Sequence, residues 1–314
     1  MDEITTRALE IGRAQAREVL QLRERARQQR SAALQVHPRP VRVRIQTLTA
    51  QGLAAGEPTL ATNGGVLVAE GDSWFDYPFH DILRELEDRY AYDVESVAHH
   101  GDRIEEMAYA GNQLEGFSRR LEKVLGRGLT PRAILLSGGV NDVAGTEFGM
   151  FLNHAQSAIA GLNTAIVDAV IRQRIRTAYI TILGAVTEIC LRNARTVLPI
   201  LVHGYDFPVP DGRGFLGGWG PLPGPWLQPG FREKGFGDLQ QRIMIAHELI
   251  ETFNGMVESL PAIEGLQHVR FVDLRNSLSS SGDYKTWWAN ELHPTPQGFE
   301  VVAERFASVL AALP

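Results

Sequence analysis

The sequence predicts an α/β fold in which helices cover both faces of a parallel β-sheet. From residue 66 onwards, short apolar strands alternate with helical stretches, and this alternation is typical of parallel sheets with helical crossovers. Hydrophobic residues make up 44% of the 314-residue chain, which is ample for a packed core. Polar clusters follow several of the strands, at the edge where such sheets bind their ligands. One large domain or two small ones fit this length.

The first element of the chain is predicted to be a long helix. Residues 4–35 contain no proline and are rich in Ala, Leu, Glu, Arg and Gln, which favour helices. Pro38 and Pro40 end this helix. The following segment VRVRIQT (41–47) alternates apolar and polar residues like a half-buried strand, and a linker of small residues comes after it.

Charge is unevenly distributed, because residues 1–45 hold ten arginines and five acidic residues in a chain whose net charge is −6. Such a basic segment could bind nucleic acid or an anionic membrane surface. No aromatic residue lies among these arginines, and base stacking would need some. We therefore expect a solvated helix face and no nucleic-acid partner. We divide the chain into an N-terminal helical appendage with its linker (1–63), a candidate for self-association, and a main domain (64–314).

Composition excludes several classes of protein. The single cysteine, Cys190, cannot form an internal disulfide or a cysteine-based zinc site. No uncharged apolar run reaches the roughly 18–20 residues of a membrane span, so we expect no stable membrane insertion. The start of the sequence lacks the basic and then apolar build of a secretory signal. A cytoplasmic location is the simplest expectation.

The main domain is predicted to contain five strands and several helices. The strands are expected at residues 66–72, 93–98, 133–139, 196–205 and 269–274. The helices are expected from near His80, across 103–125, over most of 151–195 and at 294–313. Pro199 indicates an irregular start or an edge position for the fourth strand.

An insert at residues 204–237 interrupts this alternation. It carries ten glycines and six prolines in 34 positions, together with Trp219 and Trp226. Such a segment is too long for a simple connection, so it is either a functional loop or a disordered insert. Its aromatic content favours an ordered loop.

Four polar clusters lie where the predicted architecture places a ligand. They follow the first three strands and precede the last helix: Gly71-Asp72-Ser73-Trp74, His99-His100-Gly101-Asp102, Gly138-Gly139-Val140-Asn141-Asp142 and Asn290-Glu291-Leu292-His293-Pro294. Each cluster alone would be read as a turn or a helix cap. Their order and their strand contexts together indicate a catalytic site.

These four blocks resemble the SGNH hydrolases, also called the GDSL esterase and lipase family, over roughly residues 66–313. The resemblance implies a flavodoxin-like three-layer α/β/α sandwich with a parallel five-stranded sheet, and hydrolysis of acyl esters through a serine nucleophile. It implies that Ser73 is the nucleophile and His293 the general base. The backbone N–H groups of Ser73 and Gly101 and the side-chain amide of Asn141 would form the oxyanion hole. No metal or cofactor is implied.

The implied residue types suit this chemistry. A serine hydroxyl is a weak nucleophile until a base within hydrogen-bond reach takes its proton, and histidine titrates near neutral pH. The tetrahedral intermediate places negative charge on the former carbonyl oxygen, and fixed donors stabilise that charge. Gly101 has no side chain to block its N–H, and Asn141 supplies a neutral donor.

One position departs from the family pattern, because Asn290 stands where the family has an Asp three residues before the histidine. In serine proteases, changing the triad Asp to Asn lowers kcat about 10⁴-fold. The carbonyl oxygen of Asn290 could still accept the Nδ1 proton of His293. A backbone carbonyl is an equal alternative, and Glu291 ranks last because its side chain should point elsewhere.

The substrate is less well defined by the sequence. The first hypothesis is a serine esterase acting on a small-molecule, lipid or glycan ester. The alternatives are a carbohydrate O-acetyl esterase or acyltransferase with the same residues, and an inactive relative that binds or assembles. The tryptophans lie beside a motif or in the insert, where they could line an apolar or sugar site or pin the loop to the core.

Overall fold

The computed structural model describes residues 1–36, 64–145, 147–217 and 222–314. The strand expected at 41–47 and the linker after it lie outside the described residues, as does Trp219. The helices of the described residues are α1 (Glu3–Val36), α2 (Ile82–Tyr90), α3 (Ile104–Tyr109), α4 (Gly111–Leu125), α5 (Thr164–Val167), α6 (Arg176–Ala194), α7 (Gln228–Glu233), α8 (Leu239–Glu258) and α9 (Pro296–Ala311). The strands are β1 (Gly65–Glu70), β2 (Tyr92–Ser96), β3 (Ala133–Leu136), β4 (Leu152–Asn153), β5 (Gly161–Leu162), β6 (Ile200–His203) and β7 (Val269–Val272).

The main sheet has five parallel strands in the order β2-β1-β3-β6-β7. This is the strand order of flavodoxin-like sheets, in which the ligand lies beyond the carboxyl ends of the strands. The central strands β3 and β6 are buried along their whole length, as expected of a sheet with helices on both faces. Helices α2 and α9 pack together on one face, and α4, α6 and α8 cover the other. The predicted three-layer α/β/α fold is confirmed.

The helix expected at 103–125 is two helices, because the chain turns at Ala110. That residue has an extended backbone conformation, with φ −86° and ψ 104°, and it serves as the C-cap of α3 and the N-cap of α4. The break lets the two helices lie at different angles to the sheet. Helix α8 follows the insert and was not predicted, although its buried residues recur with helical spacing.

The stretch 151–195 is helical only from Thr164 onwards. Its first part forms the short antiparallel pair of β4 and β5. The side chain of Asn163 accepts a hydrogen bond from the N–H of Ile166, which caps the helix at its start. A π-helical segment, Asp168–Ile175, connects α5 to α6. The prediction that most of 151–195 is helical is therefore confirmed, and a capping asparagine sets the start of the helix at Thr164.

Helix α1 packs along α6 on the outside of the sandwich. Ala8, Leu9 and Ala16 are buried in this contact. The helices approach so closely at Gly12 that a Cβ atom there would overlap the carbonyl oxygen of Thr181.

The described helices include none long and apolar enough to cross a membrane. The division of the chain at residue 63 and a role of α1 in self-association stay predictions.

An ion pair holds the second half of α1 to the domain. The Arg23 guanidinium lies 2.9 Å from the Glu122 carboxylate of α4 and 3.6 Å from Glu115. Side-chain hydrogen bonding by Glu122 raises the pKa of Arg23, so the pair stays charged. The side chains of Arg23 and Glu122 are 15% and 12% exposed, so this largely buried pair adds to the apolar contact around Gly12.

The docking of α1 can be tested by filling its closest contact. We expect Gly12→Ala to lower the free energy of unfolding by about 1–3 kcal/mol, because backbone atoms of α6 occupy the space of the new methyl group. The thermal midpoint should fall by roughly 2–4 °C per kcal/mol. Gly116→Ala in α4 is the matched control, because its Cβ would meet no atom within 4 Å and alanine favours a helix. An unchanged midpoint for Gly12→Ala would show that α1 is not docked in solution.

Candidate active site

Ser73 and His293 meet at the carboxyl edge of the sheet. Ser73 lies in the turn after β1, where the carbonyl oxygen of Asp72 accepts hydrogen bonds from the N–H groups of Phe75 and Asp76. His293 precedes α9. The Oγ atom of Ser73 lies 2.7 Å from Nε2 of His293. The two residues are only 7% and 5% exposed, so this hydrogen bond is shielded from bulk water.

The third member of the arrangement is Asn290. Its Oδ1 atom lies 3.1 Å from Nδ1 of His293 and accepts backbone N–H groups of Leu292 and His293, each at 2.9 Å. Its Nδ2 donates to the hydroxyl of Tyr77 at 2.9 Å. These contacts fix which end of the amide faces the ring, so Oδ1 accepts a hydrogen bond from Nδ1–H of His293. The lone pair of Nε2 is then left facing Ser73, as a general base requires.

Burial also sets the protonation state of His293. It lowers the pKa of the imidazole from its usual value near 6.5 to about 3. Asn290 adds no negative charge that would stabilise the imidazolium. His293 is therefore neutral, and able to accept a proton, throughout the physiological pH range.

Glu291 points away from His293 and holds the insert. Its carboxylate accepts backbone N–H groups from four residues of the insert at 2.7–3.0 Å: Gly212, Trp226, Leu227 and Gln228. The residue is fully buried, so these four donors replace its hydration shell. The described part of the insert is thus ordered, and it is attached to the residue next to the triad.

Aromatic side chains surround the base. The Tyr77 ring stacks on the imidazole of His293 with centroids 4.3 Å apart, and the Trp226 ring meets it edge-on at 5.6 Å. Phe215 of the insert contacts Tyr77 edge-on at 5.8 Å. All three residues are partly exposed. We call Tyr77, Phe215 and Trp226 the aromatic wall.

The predicted oxyanion donors lie in the loops after β1, β2 and β3. Within the described residues, the backbone N–H groups of Ser73 and Gly101 donate to no protein acceptor. Gly101 has φ +88°, a conformation that L side chains rarely adopt. Asn141 donates one amide hydrogen to the carbonyl oxygen of Asp102 at 3.0 Å, which leaves its second hydrogen for another acceptor.

The loop that carries Gly101 is fastened at both sides. The N–H of His99 donates to the carbonyl oxygen of Gly71 at 2.9 Å, and the N–H of His100 donates to the Asp76 carboxylate at 3.0 Å. Both partners belong to the segment around Ser73. The two strand ends that supply N–H donors are therefore held together by direct hydrogen bonds.

Asp142 orders the third donor loop. Its carboxylate accepts the N–H groups of Ile104 and Glu105 at the start of α3, at 2.9 and 3.5 Å. Burial raises the pKa of Asp142 to about 6, and these N–H groups oppose that rise. The residue next to Asn141 thus connects the loop after β3 to the loop after β2.

Sequence reasoning missed Tyr77, Asp76 and the structural use of Glu291. Tyr77 and Asp76 follow the nucleophile block by a few residues, but their partners lie in other segments, and no local pattern indicates such contacts. No local pattern indicates the role of Glu291 either, because the N–H groups that it accepts belong to residues 63–79 positions away along the chain.

The fold and the four blocks define a class of hydrolase. Residues 60–306 match the family of GDSL-like lipases and acylhydrolases, and the chain belongs to this family. It is therefore a hydrolase of ester bonds. The predicted resemblance is confirmed.

The solved structures to which the chain is similar are distant in sequence. An α/β hydrolase named LAE5, from the metagenome of Lake Arreo in Spain, is 15% identical, with 80% of this chain and 97% of that chain covered and a TM-score of 0.43. A carbohydrate esterase of family 3 from Talaromyces cellulolyticus is 12% identical, with 79% and 97% covered and a TM-score of 0.41. A catalytic mutant of the acetylxylan esterase Axe2 from Geobacillus stearothermophilus is 14% identical, with 79% and 94% covered and a TM-score of 0.35. No curated protein matches the sequence.

Two alanine variants separate the roles of the neighbouring residues Asn290 and Glu291. We expect Asn290→Ala to lower kcat by about 10²–10⁴-fold, because His293 loses the acceptor that orients it. Glu291→Ala should cost about 2 kcal/mol or more of stability, because buried N–H groups lose their acceptor. Thermal melts of both variants measure the loss of stability, and esterase assays measure the loss of kcat. A Glu291→Ala variant with normal stability and abolished kcat would show that Glu291 orients the base.

Replacing Asn290 by a carboxylate should move the pH profile. A negative charge beside Nδ1 stabilises the imidazolium, so Asn290→Asp should raise the pKa of His293 from about 3. The base works only when unprotonated, so the acid limb of kcat/KM moves to higher pH, and activity at pH 5 falls relative to pH 8. The native enzyme should stay flat over that range. Asn112→Asp, an exposed position in α4, is the control for added charge. Identical profiles for all three proteins would contradict the assignment of His293 as the base.

Proposed function

We propose that the protein is a serine esterase that hydrolyses carboxylic esters through an acyl intermediate on Ser73. The observation that carries this proposal is the buried 2.7 Å hydrogen bond between the Ser73 hydroxyl and Nε2 of His293. The fixed amide of Asn290 supports it, because it sets the tautomer in which Nε2 accepts.

The proposed reaction has two halves. In the first, Nε2 of His293 takes the hydroxyl proton while Oγ of Ser73 attacks the ester carbonyl, and the same proton then passes to the leaving alcohol. The acyl group remains on Ser73. In the second half, His293 takes a proton from water, the resulting hydroxide attacks the acyl carbon, and the returned proton restores Ser73 as the carboxylic acid leaves.

The tetrahedral intermediate of each half carries a negative oxygen. The N–H groups of Ser73 and Gly101 are the proposed donors to it, together with the second amide hydrogen of Asn141. Donors that are already fixed need no reorganisation when the charge appears, and losing one costs about 10²–10³ in kcat.

The aromatic wall supports a substrate with an apolar or aromatic group beside the scissile bond. Its rings offer apolar surface next to His293. A carbohydrate O-acetyl ester is the second candidate, because a partly exposed indole such as that of Trp226 can also stack on the face of a sugar. A series of aliphatic p-nitrophenyl esters, set against acetate release from acetylated glycans, separates the two.

The nucleophile is tested directly by Ser73→Ala. We expect this variant to lose turnover of short p-nitrophenyl esters and labelling by a fluorophosphonate probe, because no other hydroxyl contacts Nε2 of His293 among the described residues. Peptide mapping of the labelled native protein should place the probe on Ser73. The exposed Ser157→Ala variant is the matched control and should behave as the native protein. Activity retained by Ser73→Ala, or a native protein that the probe does not label, would refute the proposal.

A further inference from the structure

A second chain of hydrogen bonds runs beneath Ser73, across the ends of the three central strands. Ser137 follows β3, and its Oγ lies 2.6 Å from Oδ1 of Asp72, the residue before the nucleophile. The same Oγ lies 2.7 Å from Nε2 of His203, at the end of β6. Nδ1 of His203 lies 2.6 Å from the carbonyl oxygen of Gly204. Asp72, Ser137 and His203 are completely buried.

These hydrogen bonds require one more proton than a neutral imidazole, a serine hydroxyl and an ionised carboxylate carry together. A carbonyl oxygen only accepts, so Nδ1 of His203 must bear a hydrogen. The hydroxyl of Ser137 has a single proton and cannot donate to both His203 and Asp72. Either His203 is doubly protonated beside an ionised Asp72, or Asp72 is protonated beside a neutral His203. Both arrangements are electrically neutral overall, and both place a hydrogen in each of the three contacts.

A neutral imidazole beside an ionised Asp72 would leave one of these short contacts without a hydrogen. Two lone pairs would then face each other in a buried site, which is costly. The arrangement would also leave a net negative charge in the core. Within the described residues, Asp72 forms no salt bridge that could neutralise it, and its other partners are the hydroxyl of Tyr205 at 2.8 Å and the N–H of Trp74 at 3.0 Å.

The position of Asp72 makes its charge relevant to the proposed reaction. The N–H of the next residue, Ser73, is a proposed donor to the developing oxyanion. A bare carboxylate one residue away would oppose that negative charge, and burial would strengthen the repulsion.

We propose that His203 is a positioning residue that neutralises Asp72 through Ser137, so that the proposed oxyanion at Ser73 does not face a buried negative charge. This inference rests on the proposed function. The imidazole of His203 is held in place, because it packs among the rings of Trp74, Phe75 and Phe306 at centroid distances of 5.4–5.8 Å. Those contacts hold the ring in the orientation in which both nitrogens have partners.

The protonation state can be measured without any substrate. In the ¹⁵N-labelled native protein, the ring nitrogens of His203 are assigned by comparison with His203→Phe. We expect Nδ1 to carry a hydrogen from pH 5 to pH 9, as either the imidazolium or the Nδ1–H tautomer. A ring protonated on Nε2 alone would overturn the proposal, because Nε2–H would then donate to Ser137 and Ser137 to an ionised Asp72, and the contact of Nδ1 with Gly204 would not be a hydrogen bond.

The effect on catalysis is tested by a pair of substitutions. In His203→Phe, the hydroxyl of Ser137 is free to donate to Asp72, which favours the ionised carboxylate. We expect kcat to fall about 10- to 100-fold, with KM changed less than about twofold, as for a group that acts on the transition state. Adding Asp72→Asn removes the charge, so the double variant should match Asp72→Asn alone within about threefold.

Controls distinguish electrostatics from packing. A loss of kcat in His203→Phe that is just as large in the Asp72→Asn background would mean that the ring only fills space, and would overturn the proposal. His203→Leu, which likewise forms no hydrogen bond with Ser137, replaces the phenylalanine variant if that one fails to fold. His268→Phe, at a histidine bonded to Thr187 on α6, is the matched control. A native protein without esterase activity or fluorophosphonate labelling would refute the proposed function. The NMR measurement would still test whether Nδ1 of His203 carries a hydrogen.

Discussion

The burial of His293 against an uncharged partner is the constraint on which the rest of the site depends. A carboxylate would orient the imidazole by charge, but it would also raise the pKa of the base. Asn290 can orient the ring only by geometry, so its amide must not flip. Backbone N–H groups of its own turn hold Oδ1, and the Tyr77 hydroxyl holds Nδ2. The ring of Tyr77 is also stacked on the imidazole of His293, and it covers one face of that ring.

Glu291 shows how two adjacent residues serve different parts of the structure. Asn290 points to the base, while Glu291 points into the insert and accepts four backbone N–H groups from it. Because the same short segment sets both contacts, the position of the aromatic wall is coupled to the position of His293. The insert thereby gains a polar anchor in addition to its buried side chains, which include Phe231 and Phe236.

The sequence was sufficient for the sheet and for the four polar blocks, because both are local patterns. Buried strands read as apolar runs, and the ends of parallel strands meet at one edge wherever the connections run. It was not sufficient for Tyr77 or Glu291, since their partners lie 213 and up to 79 residues away along the chain. Helix α8 is different. Ile245, Leu249 and Phe253 recur with helical spacing, so periodicity could have revealed it.

Two hydrogen-bond networks start at the adjacent residues Asp72 and Ser73 and run in different directions. Both determine how much charge lies beside Ser73. The chain from Ser73 runs through His293 to a neutral amide. The chain from Asp72 runs through Ser137 to an imidazole and ends on a carbonyl oxygen. In the proposed assignment, a histidine of each network is paired so that neither network places a net charge beside Ser73. The family's usual Asp before the histidine would instead place a carboxylate against Nδ1 of His293. An asparagine at position 290 is therefore consistent with an uncharged partner for His293, and it need not signal lost catalysis.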